Sequence, residues 1–155
     1  MRKILVVEDE YLMRDWICGH LRQAFGNATI DEIPTELDFQ KKFEQIAADI
    51  PDIVIMDMLL AWTSPRRDLE EPPERVRREG IFTAGLRCKE LLDQQDKTRS
   101  IPVLFYTVLS GDDLSAHLGG QIKGLTYLQK DSNPEVLIDR IRELVDPVPT
   151  SELTH

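Results

Sequence analysis

Ile53-Val54-Ile55-Met56-Asp57 is the stretch that decides the fold class, because four apolar residues run directly into a carboxylate. A continuous apolar run of this kind is typical of a central parallel strand that is covered on both faces. Four further strands are predicted, at 3–7, 28–33, 101–106 and 125–129. Apolar residues at helical spacing separate these runs. Five strands alternating with five helices predict a parallel sheet with right-handed crossovers, hence a three-layer, doubly wound α/β fold.

The predicted helices carry recognisable start signals. Thr35 and Asp38 have the spacing of a capping box, in which both side chains would satisfy early helix N–H groups. The polar pair 132–133 would cap the last helix, and Pro134 lies in its first turn. The fourth helix, at 112–118, is expected to be short and weakly defined because a glycine pair follows it.

Composition sets the outer limits of function. The 155 residues suit one domain, and 41% hydrophobic residues suffice for a core. The net charge of −9 argues against direct nucleic-acid binding, which needs a basic face. Apolar runs are too short to span a membrane, and the N-terminus turns acidic too early for a signal peptide, so the cytoplasm is the expected location. The two cysteines fall in helical patterns and are expected to pack in the core.

Chemically active side chains follow four of the five predicted strands: Glu8-Asp9, Asp57, Thr107 and Lys130. Ligands of doubly wound folds bind outside the carboxyl ends of the strands, so these residues should share one edge. Each could instead have a plain structural role, such as a turn aspartate or a solvated lysine. Their order along the chain and their common edge favour a site.

The acids at this edge suit a cation rather than a bare phosphate. Glu8-Asp9-Glu10 stands where nucleotide-binding folds place glycine and hydroxyl residues. Two like charges about 4 Å apart repel by roughly 4 kcal/mol at an effective dielectric near 20. Converging carboxylates therefore need a cation or raised pKa values, and oxygen ligands favour Mg²⁺. The alternative is that the acids only favour the N-terminus of the following helix.

Residues 2 to about 145 resemble the receiver domain of two-component response regulators. The resemblance implies a flavodoxin-like sheet with strand order 2-1-3-4-5, a domain at 1–146 and a tail at 147–155. The stretches that carry it are Ile4-Leu5-Val6-Val7-Glu8-Asp9-Glu10, Ile53-Val54-Ile55-Met56-Asp57-Met58, Pro102-Val103-Leu104-Phe105-Tyr106-Thr107 and Tyr127-Leu128-Gln129-Lys130.

The resemblance also implies roles for individual residues. Asp57 would be phosphorylated, and Thr107 and Lys130 would contact the phosphoryl group. Tyr127 would change rotamer on activation, although half-buried packing is an alternative for this residue. The implied Mg²⁺ ligands are Glu8, Asp9, Asp57 and the Leu59 carbonyl.

In such a protein the Asp57 carboxylate attacks a phosphohistidine, and water later hydrolyses the aspartyl phosphate. The added charge would shift a surface near the fourth helix, fifth strand and fifth helix. The implied partners are a sensor histidine kinase or a histidine phosphotransfer protein, an unidentified output protein and, as an open alternative, a second copy. The protein would catalyse only its own phosphorylation and dephosphorylation, and would bind neither nucleic acid nor membrane.

Three departures from the family pattern stand out. Residues 61–79 form an insertion with five arginines and five acids, either a solvated loop or a partner-recognition element anchored on Trp62. Val108 stands where a small residue is usual, which predicts slow phosphorylation by small donors and slow dephosphorylation. Asp131 replaces the usual proline after Lys130, so a trans peptide is expected and the aim of Lys130 stays open.

Two other functions remain as alternatives. One is a pseudo-receiver that binds partners and is never phosphorylated, which the insertion and Val108 keep open. The other is a Mg²⁺-dependent phosphohydrolase of the haloacid dehalogenase type. Such enzymes place a second acid two residues after the nucleophile, where this chain has Leu59.

Overall fold

Five parallel strands form the central sheet of the computed structural model, which describes residues 2–64 and 71–146. The strand order is β2-β1-β3-β4-β5, so the predicted fold class and strand order are confirmed. The strands are β1 Lys3–Val7, β2 Thr29–Ile33, β3 Ile53–Met56, β4 Val103–Thr107 and β5 Thr126–Gln129.

Helices cover both faces of this sheet. They are α1 Tyr11–Ala24, α2 Glu36–Ala48, α3 Glu74–Glu79, α4 Ala84–Asp93, α5 Asp96–Arg99, α6 Gly111–Leu118 and α7 Pro134–Val145. Two short 3₁₀ segments, Ile81–Thr83 and Gly119–Ile122, precede α4 and follow α6. The described part of the crossover between β3 and β4 therefore holds three helices where the sequence predicts one, and α4 corresponds to the predicted helix.

Strand alternation divides the core into two layers. Leu5 and Val7 of β1 pack with residues of α2, α4 and α6, whereas Ile4 and Val6 pack with α1 and α7. All four side chains of β3 are buried, as a central strand requires. Each layer takes one of the two cysteines as a buried, unpaired side chain, which agrees with core packing.

The helix caps agree with the sequence only in part. Thr35 Oγ1 accepts a hydrogen bond from the Asp38 amide at 3.1 Å, but the Asp38 carboxylate accepts from the Thr35 hydroxyl instead of an early N–H group. Asn133 caps α7. A complete capping box joins Ser110 and Asp113 at the start of α6, which the sequence reading missed. This cap fixes the start of α6, and the helix is short and ends at Leu118 before the glycine pair, as the sequence predicts.

Some expectations concern residues outside the described ranges. Residues 65–70 of the insertion and the tail at 147–155 fall there, so the domain boundaries stay predictions. Of the helices within 2–64 and 71–146, none has the length and apolarity that a membrane crossing requires.

Candidate functional site

The predicted site residues lie at the carboxyl edge of the sheet, where backbone hydrogen bonds continue just past the strands. The Asp57 amide donates to the Val7 carbonyl at 3.0 Å, and the Lys130 amide donates to the Thr107 carbonyl at 2.7 Å. The Glu8 amide likewise donates to a β2 carbonyl at 3.1 Å. These bonds extend the parallel ladder by one residue past β1, β3 and β5, so Glu8, Asp57 and Lys130 are held by the backbone of a neighbouring strand.

Lys130 bridges two buried carboxylates at this edge. Its Nζ lies 2.8 Å from Asp57 Oδ2 and 3.2 Å from Glu8 Oε2. The side chains are only 8%, 6% and 2% exposed for Lys130, Asp57 and Glu8 respectively. Charge-assisted hydrogen bonds of this kind are stronger than neutral ones, and burial protects them from screening.

The pocket nevertheless holds more negative charge than Lys130 balances. Burial, reinforced by the nearby Asp57 charge, raises the pKa of Glu8 to about 8, although Lys130 opposes the shift. Burial also disfavours the ammonium of Lys130, but the Asp57 and Glu8 carboxylates outweigh it, so the pKa of Lys130 lies above its usual value. A second cation would relieve this imbalance.

Three acids are placed to bind such a cation. Oxygen atoms of Glu8, Asp9 and Asp57 all lie within 4.8 Å of one another, with Asp9 on the exposed side. An all-oxygen donor set of carboxylates fits Mg²⁺. The Leu59 amide donates to Asp57 Oδ1 at 3.1 Å, which brings the Leu59 backbone to the site. The role of its carbonyl as a ligand remains a prediction.

The two residues expected to respond to phosphorylation lie on neighbouring strands. Thr107 is fully buried at the end of β4, and its Oγ1 accepts from the Leu109 amide at 3.3 Å. Tyr127 of β5 is 36% exposed, and its hydroxyl lies 2.8 Å from the position that a Cβ would take on Gly111. The glycine at the start of α6 thus leaves room for this ring. Their switching roles remain predictions.

Sequence reasoning missed the group that holds the chain just after Lys130. The buried Tyr106 hydroxyl donates to the Asp131 carbonyl at 3.2 Å and accepts from the Asp131 amide at 3.4 Å. None of the peptide bonds within the described ranges is cis, as expected at Lys130-Asp131. Tyr106 therefore fixes this segment where the family pattern has proline. The sequence feature that could have indicated this contact is Tyr106 itself, a tyrosine directly before Thr107.

Residues near the mouth of the site differ in accessibility. Val108 is 57% exposed and its carbonyl accepts from Gln129 Nε2 at 3.2 Å. Trp62, at the start of the insertion, is only partly exposed, and its indole N–H is buried without a hydrogen-bond partner among the described residues. The role of Trp62 as a partner anchor remains a prediction.

The amino-acid sequence is similar to those of known proteins. The chain is 26% identical over 144 residues to the phosphate regulon transcriptional regulatory protein PhoB of Klebsiella pneumoniae, and 25% identical to that of Escherichia coli. These matches cover 93% of this chain and 52% of each relative, so the chain spans about half the length of these relatives. Over the part that it spans, the chain is thus similar in sequence to these response regulators. No family model matches it.

Solved receiver structures share its fold. A response regulator from Chloroflexus aurantiacus gives a TM-score of 0.64 at 22% identity, covering 93% of this chain and 97% of that one. The receiver domain of a sensor histidine kinase from Pseudomonas aeruginosa gives 0.65 at 16% identity over the same shares, and that protein has a magnesium ion coordinated in its active site cleft. Receiver domains are signalling proteins rather than classical enzymes, and this chain has their architecture.

Proposed function

We propose that this receiver accepts a phosphoryl group on Asp57 from a phosphohistidine in a Mg²⁺-dependent reaction and signals through phosphorylation-dependent protein contacts. The observation that carries the proposal is the buried Asp57 carboxylate, held 2.8 Å from Lys130 Nζ beside two further acids. A carboxylate kept from bulk water but charge-compensated on one side is suited to nucleophilic attack.

The chain's own groups account for the transfer. Leu59 N–H and Lys130 Nζ hold the two oxygens of Asp57, which fixes the carboxylate for in-line attack on phosphorus. A new P–O bond forms to Asp57 while the P–N bond breaks, and the donor histidine leaves as imidazole. Lys130 neutralises charge on the phosphoryl oxygens. Glu8, Asp9 and Asp57 would hold Mg²⁺, which supplies further charge neutralisation there.

Phosphorylation would then change what the switch residues can contact. The phosphoryl group adds about −1.5 to −2 charges at the carboxyl edge. The Thr107 hydroxyl oxygen accepts from the Leu109 amide, and the same hydroxyl could donate its proton to a phosphoryl oxygen. That new bond would pull on the connection between β4 and α6, beside the Tyr127 ring. A surface of α6, β5 and α7 could thereby present two states to partners.

The proposal extends to the domain boundaries, the phosphoryl donor and the output of the protein. The receiver would occupy 1–146, with a tail at 147–155. The donor would be a sensor histidine kinase or a histidine phosphotransfer protein, and the output would be a protein contact, including a second copy as one option. The net charge of −9 supports an output that does not bind nucleic acid directly.

Intact-mass spectrometry tests the proposal. The protein is incubated with phosphoramidate in Mg²⁺ or in EDTA, and Asp57→Asn is treated in the same way. We expect one added phosphoryl group that requires both Mg²⁺ and Asp57. Hydrolysis of phosphomonoesters without an accumulating adduct would instead indicate a phosphohydrolase. The absence of both reactions, also with a phosphohistidine donor, would indicate a pseudo-receiver.

A further inference from the structure

The first residues of the insertion connect a candidate metal ligand to helix α2. The Ala61 amide donates to Asp9 Oδ2 at 2.9 Å. The Ala61 and Trp62 carbonyls accept from the Glu36 and Leu37 amides, each at 3.0 Å. Residues 61–62 thus satisfy two of the otherwise unpaired N–H groups at the start of α2 while they hold the Asp9 carboxylate.

The end of the insertion and the residues after it meet the same helix through Arg87 of α4, which lies 3.5 Å from the Glu79 carboxylate. The Arg87 guanidinium donates to the Gly80 carbonyl and to Thr83 Oγ1, each at 2.9 Å. It also forms two bonds of 2.7 Å to the two carboxylate oxygens of Glu36, the first residue of α2. The side chains of Arg87 and Glu36 are 6% and 1% exposed. We call residues 61–62, Glu36 and Arg87 the insertion clamp.

We expect the clamp to respond as one unit, because its ion pair is buried. A bidentate pair with its remaining donors satisfied is stable, whereas loss of one partner leaves an uncompensated buried charge. Glu36 belongs to both halves, since its amide holds Ala61 and its carboxylate holds Arg87. The described ends of the insertion are therefore fixed to the scaffold beside the site, which favours a defined role over a freely solvated loop.

We infer that the insertion clamp positions the Asp9 carboxylate for the cation, so that the Mg²⁺ affinity of the site depends on the docked insertion. This inference rests on the proposed function. Asp9 is the exposed member of the three acids, so hydrogen bonds such as that from the Ala61 amide, rather than close packing, orient its side chain. The Ala61 amide holds one oxygen of Asp9, and an oxygen of this carboxylate lies within 4.8 Å of oxygens of Glu8 and Asp57. Outer partners of this kind orient metal ligands and raise affinity.

Mg²⁺ titrations followed by amide NMR spectra test the inference with Arg87→Lys, which keeps the charge but cannot make the bidentate pair. We expect Mg²⁺ to bind about tenfold more weakly than in the unaltered protein. Arg140→Lys is the matched control, because the Arg140 side chain of α7 is 42% exposed and pairs with Glu143, which is not a clamp residue. Its Mg²⁺ affinity should equal that of the unaltered protein.

If the clamp only stabilised the fold, Arg87→Lys would lower the free energy of unfolding and leave the Mg²⁺ affinity unchanged. Urea unfolding in EDTA measures the stability of each variant separately. Ile46→Val, in the buried face of α2, is a destabilised control that keeps the clamp intact. Its Mg²⁺ affinity should equal that of the unaltered protein. Ala61→Pro, which removes the donor to Asp9, should match Arg87→Lys in its Mg²⁺ affinity. In the unaltered chain, Mg²⁺ should shift the Ala61, Glu36 and Leu37 amides with one common affinity, a measurement that needs no variant.

The outcomes separate the two proposals. If the unaltered protein binds Mg²⁺ and Arg87→Lys binds it equally well, the inference is overturned and the proposed function stands. The same holds if the Glu36 and Leu37 amides do not respond to Mg²⁺. If the unaltered protein binds no Mg²⁺, the metal-dependent function itself fails.

Discussion

At the scale of single residues, Glu8 carries the largest electrostatic cost in the described site. Its carboxylate is 2% exposed and lies against Asp57, and Lys130 supplies only one positive charge for both. The sequence predicts acids at this position from their place after β1. It could not predict which acid is buried, because the burial of Glu8 and the exposure of Asp9 depend on how the chain turns into α1.

The raised pKa of Glu8 makes stability depend on pH. Since the folded pKa is about 8 and the ordinary value about 4.5, the folded protein retains a proton that the unfolded chain releases. This stabilisation is complete below the ordinary value and is lost as pH rises toward 8. We expect the unfolding free energy in EDTA to fall across that window, and stabilisation by Mg²⁺ to grow, because the ion competes with the proton.

Urea unfolding at a series of pH values, with EDTA or with Mg²⁺, measures both trends. Glu8→Gln removes the titrating group and should flatten the pH dependence in EDTA. Parallel pH profiles for the unaltered protein and Glu8→Gln would show that Glu8 is not the group responsible.

Tyr106 supplies a second residue-scale prediction. Tyr106→Phe removes the hydroxyl that bonds to the Asp131 backbone, which should cost about 1 kcal/mol of unfolding free energy. Phosphorylation of Asp57 should also slow, because the segment that aims Lys130 is released. Urea unfolding and intact-mass time courses check the two effects. Tyr11→Phe is the control, since Tyr11 is 67% exposed. Equal stability and equal phosphorylation rates of the two variants would show that the Tyr106 hydroxyl does not hold this segment in place.

At the scale of elements, helix α4 approaches the site more closely than any side chain would permit. A Cβ on Gly85 would lie 2.5 Å from the Asp57 carbonyl oxygen and 2.9 Å from Met58 Cα, both backbone atoms. The Gly85 amide donates to the Met58 carbonyl at 3.0 Å. The first turn of α4 therefore rests directly on the end of β3 and supports the loop that carries Asp57.

Gly85→Ala should accordingly destabilise the protein by about 1–3 kcal/mol and displace α4 from β3. Gly19→Ala is the matched control in α1, where a Cβ would meet nothing within 4 Å. That change should stabilise the protein by about 0.5–1 kcal/mol through the usual helix preference. Urea unfolding of both variants measures the difference, and a neutral or stabilising Gly85→Ala would contradict the close packing of α4.

The elements also show where sequence reasoning succeeds. Strand β3 was predictable because four apolar residues need burial on both faces. Helices α3 and α5 were not predictable, since α3 lies within a charged insertion and α5 has only four residues. Arg87 gave no signal either, because its partner Glu36 lies 51 positions away and only the fold brings the two together.

At the scale of the whole molecule, parallel topology explains why the site forms at all. All five strands run the same way, so the residues that follow β1, β3 and β5 meet at one edge although they are far apart in sequence. This juxtaposition of Glu8, Asp57 and Lys130 was predictable from strand order alone. The Ala61 contact that orients Asp9 uses a backbone amide, so no residue type reveals it in the sequence.

The most direct test of the central claim is to locate the phosphoryl group. Protein treated with phosphoramidate and Mg²⁺ is reduced with borohydride, which converts an aspartyl phosphate to homoserine, and its peptides are sequenced by mass spectrometry. We expect homoserine at position 57, lost in EDTA and strongly reduced in Lys130→Met. Modification at another acid, or at position 57 regardless of Mg²⁺ and Lys130, would contradict that claim.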